Sequence, residues 1–261
     1  MKRTLLFLIA LVFIFTLSGC NSNIKLNNSK ASSTQPTGSP KVKINIFFIG
    51  NSLTFVGKIP QKFEALAKLT NKPVNVLEKT NGGYNLWQHY EDLTSGSYND
   101  YIKKANIVIL QEYGKYGLDT ANYVKKIQKL FKPGTKFYFL LTEFDIPTTE
   151  SDIPNRLDEL KDIKNLTYIP SGYAHNLLLR DGFKYEQLHV ANDYHPNSLY
   201  GYIGALTVYS KIFNTSCIGL SYDFLDQSLI PGDTKAEKDN AIKKIQEKVM
   251  EAVNAKQSDY N

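Results

Sequence analysis

The sequence predicts an α/β fold, a three-layer α/β/α domain around a five-stranded parallel sheet. Three observations predict it. From residue 42 onward, short apolar runs alternate with amphipathic stretches. The apolar runs are nearly continuous rather than alternating, as expected of strands buried on both faces. Strand and helix take turns along the chain, which implies parallel pairing with helices covering the sheet.

The elements follow in order. Ile44 to Ile49 reads as a buried strand, and Lys58 to Leu69 as a helix with Ile59, Phe63, Leu66 and Ala67 on one face. Val74 to Leu77 is a second strand and Leu86 to Leu93 a short helix. Ile107 to Leu110 is the third strand. Tyr123 to Phe131 is helical by the spacing of Val124, Ile127, Leu130 and Phe131. Phe137 to Leu141 and Leu166 to Ile169 are the fourth and fifth strands, separated by a helix over Ile153 to Ile163. Ser171 to Arg180, Ser198 to Phe213 and the charged amphipathic stretch Thr234 to Ala255 complete the helices.

The first residues belong to a different class. Lys2 and Arg3 precede an apolar run from Leu5 to Leu17, the form of a secretory signal. The run is shorter than the ~20 residues that span a bilayer. It ends in Leu17-Ser18-Gly19-Cys20, which resembles the bacterial lipobox, whose Cys is lipidated and becomes the mature N-terminus. That resemblance implies a signal peptide over residues 1–19. It also implies a membrane anchor through Cys20 on the extracytoplasmic face of a bacterial cell membrane. Residues 20–41 are rich in Asn, Ser, Thr and Pro and too poor in apolar residues to fold, so they read as a flexible tether. The folded domain is expected over residues 42–261. Cys217, the second of two cysteines, lies in an apolar stretch and reads as a buried structural thiol.

The formal charge is +6, with 31 basic and 25 acidic residues. Loss of Lys2 and Arg3 leaves 29 basic residues and a net +4. The excess is mild and unclustered, which argues against nucleic acid as a partner. No His, Cys, Asp or Glu cluster has metal-ligand spacing, and Asp145, Glu150 and Asp152 read as solvated.

Chemistry in a parallel sheet gathers at the carboxyl ends of the strands. There the first strand runs through Gly50-Asn51 into Ser52 and a helix. Two readings stand open at Ser52: a nucleophile on a sharp turn, or an N-cap. A serine nucleophile needs a base, and Asn192-Asp193-Tyr194-His195-Pro196-Asn197 supplies an imidazole with a carboxylate beside it.

These blocks resemble the SGNH hydrolases, also called the GDSL family. Gly50-Asn51-Ser52-Leu53-Thr54 resembles the first block in a GNSLT form. Asn81-Gly82-Gly83-Tyr84-Asn85 resembles the second, Leu110-Gln111-Glu112 stands at the third, and His195-Pro196-Asn197 with Gly201 resembles the last. The resemblance implies a flavodoxin-like sheet and a serine esterase needing no cofactor. Ser52 is its expected nucleophile and His195 its base. The amides of Ser52 and Gly83 and the side chain of Gln111 form the expected oxyanion hole. The sequence departs from the pattern twice: Gln111 replaces an Asn, and Asn192 stands three residues before His195 where an Asp is usual. Asp193 is the expected acid; a backbone carbonyl or a Ser52–His195 dyad are the alternatives. The expected substrate is a small ester or an acylated glycan of the cell envelope. The rival reading is a glycan-binding lipoprotein without turnover.

Three further histidines have their own expected places: His89 on the surface, His175 as a structural residue, and His189 lining the site. Tyr84, Trp87 and Tyr90 form an aromatic group near the second block, with Trp87 expected in the core.

Overall fold

The structure, a computed structural model, describes residues 42–113, 119–142 and 153–260. The signal, the Cys20 lipobox and the tether lie outside the described residues, as do Asp145, Glu150 and Asp152.

Five parallel strands form one sheet: β1 (Ile44–Gly50), β2 (Val74–Thr80), β3 (Ile107–Leu110), β4 (Lys136–Leu140) and β5 (Leu166–Ile169), in the order β2-β1-β3-β4-β5. Successive strand residues point to opposite faces. Ile46 to Ile49 and Ile107 to Leu110 are all buried, so both faces of the central strands are covered. The first strand of the chain sits second in the sheet, with pairs such as Phe48 to Glu78 on one side and Phe48 to Ile109 on the other. Its carboxyl end therefore opens between the ends of β2 and β3.

Among the described residues, ten α-helices accompany the sheet: α1 (Ser52–Phe55), α2 (Ile59–Leu69), α3 (Leu86–Thr94), α4 (Asn99–Lys104), α5 (Thr120–Gln128), α6 (Ile153–Leu160), α7 (Ser171–Arg180), α8 (Tyr185–Leu188), α9 (Ser198–Phe213) and α10 (Lys235–Asn254). Helices α2, α7, α9 and α10 pack together as one group, and α3, α5 and α6 as another. Helix α9 is buried from Leu199 to Ser210 and is the centre of its group. Helix α10 begins with a capping box in which Thr234 and Glu237 satisfy each other's backbone amides. No helix among the described residues is long and apolar enough to cross a membrane.

The strands and the long helices lie where the sequence pattern puts them. Two helices differ: α6 ends at Leu160 rather than Ile163, and α5 covers Thr120–Gln128 rather than Tyr123 to Phe131. The first turn of α5 is pulled in by Thr120, whose buried hydroxyl donates to Glu112. Helices α4 and α8 were not expected, being short and without an apolar period. Cys217 is fully buried, which pushes its thiol pKa up to about 11.

One close approach links the two halves of the site. A Cβ added at Gly201 in α9 would lie 1.7 Å from the carbonyl oxygen of Gly57. Only a glycine lets the start of α9 lie against the turn that follows α1.

Candidate active site

Ser52 is the first residue of α1, at the carboxyl end of β1. The capping role belongs to Asn51, whose Oδ1 accepts from the amide of Leu53 at 3.1 Å. Ser52 is thereby released from the N-cap reading. Asn51 also donates through Nδ2 to the carbonyl of Tyr84 at 3.3 Å, tying the turn to the loop after β2.

The opposite wall is the loop between α8 and α9. Ser52 Oγ lies 2.9 Å from His195 Nε2. His195 Nδ1 lies 2.7 Å from Asp193 Oδ2. A carboxylate accepts, so Nδ1 carries the ring proton and the lone pair of Nε2 faces Ser52. The hydrogen bond from His195 holds the Asp193 carboxyl below its ordinary pKa, aided by the charge of His195 and the amides of Tyr194 and His195. The backbone explains how a carboxylate two residues away reaches the ring. Asn192 adopts a left-handed conformation, with φ of 57°, which Asn tolerates better than most residues. That turn brings Asp193, rather than Asn192, against the imidazole.

Gly83, with φ of 71°, lines the same cleft, together with Asn51, Ser52, Leu53, Asn85, Tyr113 and Tyr194. The cleft encloses about 400 Å³. Tyr194 stacks on His195 with ring centroids 4.5 Å apart and faces Tyr113 at 6.4 Å.

Gln111 corrects the expectation of an oxyanion donor. It is 1% exposed. Its Oε1 accepts from the Asn51 amide and the Thr54 hydroxyl, both at 2.9 Å, and its Nε2 donates to Thr142 Oγ1 at 3.0 Å. Its amide nitrogen points across the strand ends, not into the cleft. Gln111 instead holds the Ser52 turn from beneath.

Glu112 has a parallel role. Its carboxylate accepts from the amide of Leu86, at the start of α3, and from Thr120. Burial pushes its pKa up, against these hydrogen bonds and the charge of buried Arg156. It anchors the helix that follows the Gly82-Gly83 loop.

His89 is fully buried, not on the surface. Its Nε2 donates to the carbonyl of Gly50 at 2.9 Å, and burial lowers its pKa to about 4. The signal was in the sequence: Leu86, His89 and Leu93 recur on one helix face. His189 does not line the cleft; it is buried behind it. Trp87 is half-buried rather than in the core, and Tyr90 pairs with Tyr123 instead of joining Tyr84.

No family model and no curated protein matches the sequence. Solved structures do match. A DUF4886 family protein from Bacteroides uniformis superposes with a TM-score of 0.57 at 15% identity, covering 83% of this chain and 98% of its own. A lipase from a goat rumen metagenome matches with a TM-score of 0.50 at 11% identity, covering 64% of this chain and 97% of its own. The shared fold is a three-layer α/β/α arrangement around a five-stranded parallel sheet. A member of the lipolytic protein G-D-S-L family from Veillonella parvula also aligns, with a TM-score of 0.48 at 13% identity over 66% of this chain and all of its own. At these identities the likeness establishes the fold. Within that fold, Ser52 and His195 meet at the strand-end cleft described above.

Proposed function

We propose that the protein is a serine esterase that hydrolyses a short acyl ester on a cell-envelope glycan. The observation that carries this reading is the hydrogen-bonded series Ser52–His195–Asp193 at the carboxyl edge of the sheet. Ser52 Oγ attacks the acyl carbon while His195 Nε2 takes its proton. Asp193 stabilises the imidazolium and fixes its tautomer. The imidazolium then protonates the departing alcohol, leaving an acyl-Ser52 ester. Water attacks that ester with His195 again as base, releasing the carboxylic acid and restoring Ser52.

The developing oxyanion needs donors. The amides of Ser52 and Gly83 are two candidates. With Gln111 turned away, Asn85 takes the side-chain position. It lines the cleft beside Gly83, whereas the Asn51 amide group is engaged with Tyr84.

A small cleft supports a short acyl group. The half-exposed ring of Tyr194 beside Tyr113 supports a sugar as the alcohol portion, since aromatic faces stack on sugars. Anchoring through Cys20 on the outer face of the membrane would place the enzyme among such glycans. Lipid or small acyl esters are the next substrates in this reading, and no nucleic acid is involved. The withdrawal of Gln111 from the cleft is the observation favouring a glycan-binding lipoprotein without turnover. Acetate release from an O-acetylated polysaccharide, and from p-nitrophenyl acetate, separates the two. The esterase reading expects release by the wild type and none by Ser52→Ala at an unchanged Tm. Equal release by both proteins rejects Ser52 as the nucleophile.

A further inference from the structure

Two buried histidines lie back to back behind the loop that carries His195. His175 in α7 is 0% exposed and His189, just after α8, is 3% exposed. Their Nε2 atoms are 2.9 Å apart. His189 Nδ1 lies 2.9 Å from the carbonyl oxygen of Tyr194, the residue before the base.

The protons can be placed. A carbonyl oxygen only accepts, so His189 carries a proton on Nδ1. Burial lowers the pKa of His189 to about 4 and that of His175 to about 3, so both rings are neutral at pH 7. A neutral ring has one N–H. His189 Nε2 therefore accepts, and His175 Nε2 donates to it. His175 Nδ1 is then the acceptor. Asn176 Oδ1 lies 3.1 Å from it, so this proton order requires the Asn176 amide to be turned with its nitrogen toward Nδ1. The rings are enclosed by aromatic neighbours. Tyr185 stacks on His189 at 3.8 Å and 5°, and Tyr200 packs against His189 at 5.7 Å and His175 at 5.3 Å. The charged or titratable groups facing the pair are Tyr185, Tyr200, Glu186 and Asp193, and Tyr185 is itself pushed up to about 12, first by burial.

The loop above has little core of its own, because Val190 to Tyr194 are all exposed. Its backbone is closed by Val190 N donating to His195 O at 2.9 Å and by Asp193 N donating to Val190 O at 3.0 Å. The bond from His189 is the buried side-chain contact to the peptide that joins Tyr194 to His195. Burying two polar rings costs free energy that apolar residues of similar size would not.

We propose that the His175–His189 pair is a positioning device for the general base. Its terminal N–H, on His189 Nδ1, fixes the Tyr194 peptide and thereby the His195 ring between Ser52 and Asp193. The inference rests on the esterase reading above, and it makes His189 a positioning residue rather than a catalytic one.

Two substitutions separate this from mere packing. In His189→Asn the amide nitrogen takes the place of Nδ1. In His189→Gln it takes the place of Nε2. The readout is the rate at which a fluorophosphonate labels Ser52. A misplacement of ~1 Å can cost ~10²-fold, so His189→Gln is expected to label about 10- to 100-fold slower than wild type. His189→Asn should retain most of the rate. Equal rates in all three proteins, or an equal fall in both variants, overturn the proposal. A measurement on the unaltered protein guards against variants that fail to fold: ¹H–¹⁵N correlation of the ring nitrogens should show His189 protonated on Nδ1 and His175 on Nε2. A proton on Nε2 of His189 overturns the proposal by itself. Failure of the esterase reading looks different, because the wild-type protein then takes no label at Ser52.

Discussion

The nucleophile and the base are held in opposite ways. The turn carrying Ser52 is built on the sheet and clamped from below: Gln111 grips Asn51 and Thr54, and His89 grips Gly50. A Cβ at Gly50 would lie 2.6 Å from Thr54 Oγ1 and 2.8 Å from Gln111 Oε1, a measure of how closely that turn is packed. The loop carrying His195 is exposed, contains a left-handed Asn192, and is anchored by His189 from beneath and Asn197 at its end. The polar groups under the nucleophile are thus part of the core, whereas those under the base form a local brace on an otherwise solvated loop. Changes beneath Ser52 should cost stability first, and changes in the His195 loop should cost rate first.

The sharpest contrast pairs the two amides near the nucleophile. Asn85→Ala removes the proposed side-chain donor of the cleft together with the N-cap of α3, and is expected to lower turnover by ~10²–10³-fold at a stability cost of only ~1 kcal/mol. Gln111→Leu leaves the Asn51 amide and the Thr54 hydroxyl without their acceptor, at ~1–3 kcal/mol per buried group. Its signature is a lower Tm. Steady-state kinetics beside thermal melts checks both; a Gln111 variant that melts like wild type but loses turnover would reverse the assignment.

On the other side of the cleft, Asp193→Asn removes the charge that stabilises the imidazolium. The equivalent change in a buried triad costs ~10⁴-fold. Here the carboxylate is part-exposed and screened, so roughly 10- to 10³-fold is expected. Asn192→Ala touches only the left-handed turn, worth about 1 kcal/mol, and should lower turnover far less. The opposite ranking of the two variants in kcat contradicts the geometry of this loop.

That loop also marks where the sequence stops being legible. The strand order of chemistry, the Ser52 turn and the His195 block could be read from apolar periods and block spacing, because those reflect burial that propagates along whole elements. Asp193 is the acid the sequence led one to expect, but whether it, a backbone carbonyl or no partner meets His195 turns on a single φ at Asn192. The orientation of Gln111 is not legible in the sequence because it is set by Thr142 and Thr54, which come near it only once the strands align. His89 is buried, against its polarity, because it shares the Leu86–Leu93 face of α3, and the helical period decides its place. The His175–His189 contact joins α7 to the end of α8 and left no periodic trace.

Both halves of the site rest on neutral buried histidines, which sets a common and smaller effect. His89, His175 and His189 have folded-state pKa values lowered by burial to about 4, 3 and 4. The unfolded chain takes up these protons near pH 6.5. The stabilisation from keeping the rings neutral is complete above that pH and is lost as pH falls from about 6.5 toward 4. A loss of several kcal/mol corresponds to a fall in Tm on the order of 10 °C between pH 7 and pH 4.5. A Tm that stays flat over that interval contradicts the burial of these rings.

The central claim is that Ser52 is a nucleophile activated by His195. Peptide mapping by mass spectrometry after fluorophosphonate treatment tests it directly. The account predicts one adduct, on Ser52, in the wild-type protein, and an adduct slowed by orders of magnitude in His195→Ala. An adduct on another residue, no adduct on the folded wild-type protein, or undiminished labelling of His195→Ala contradicts it.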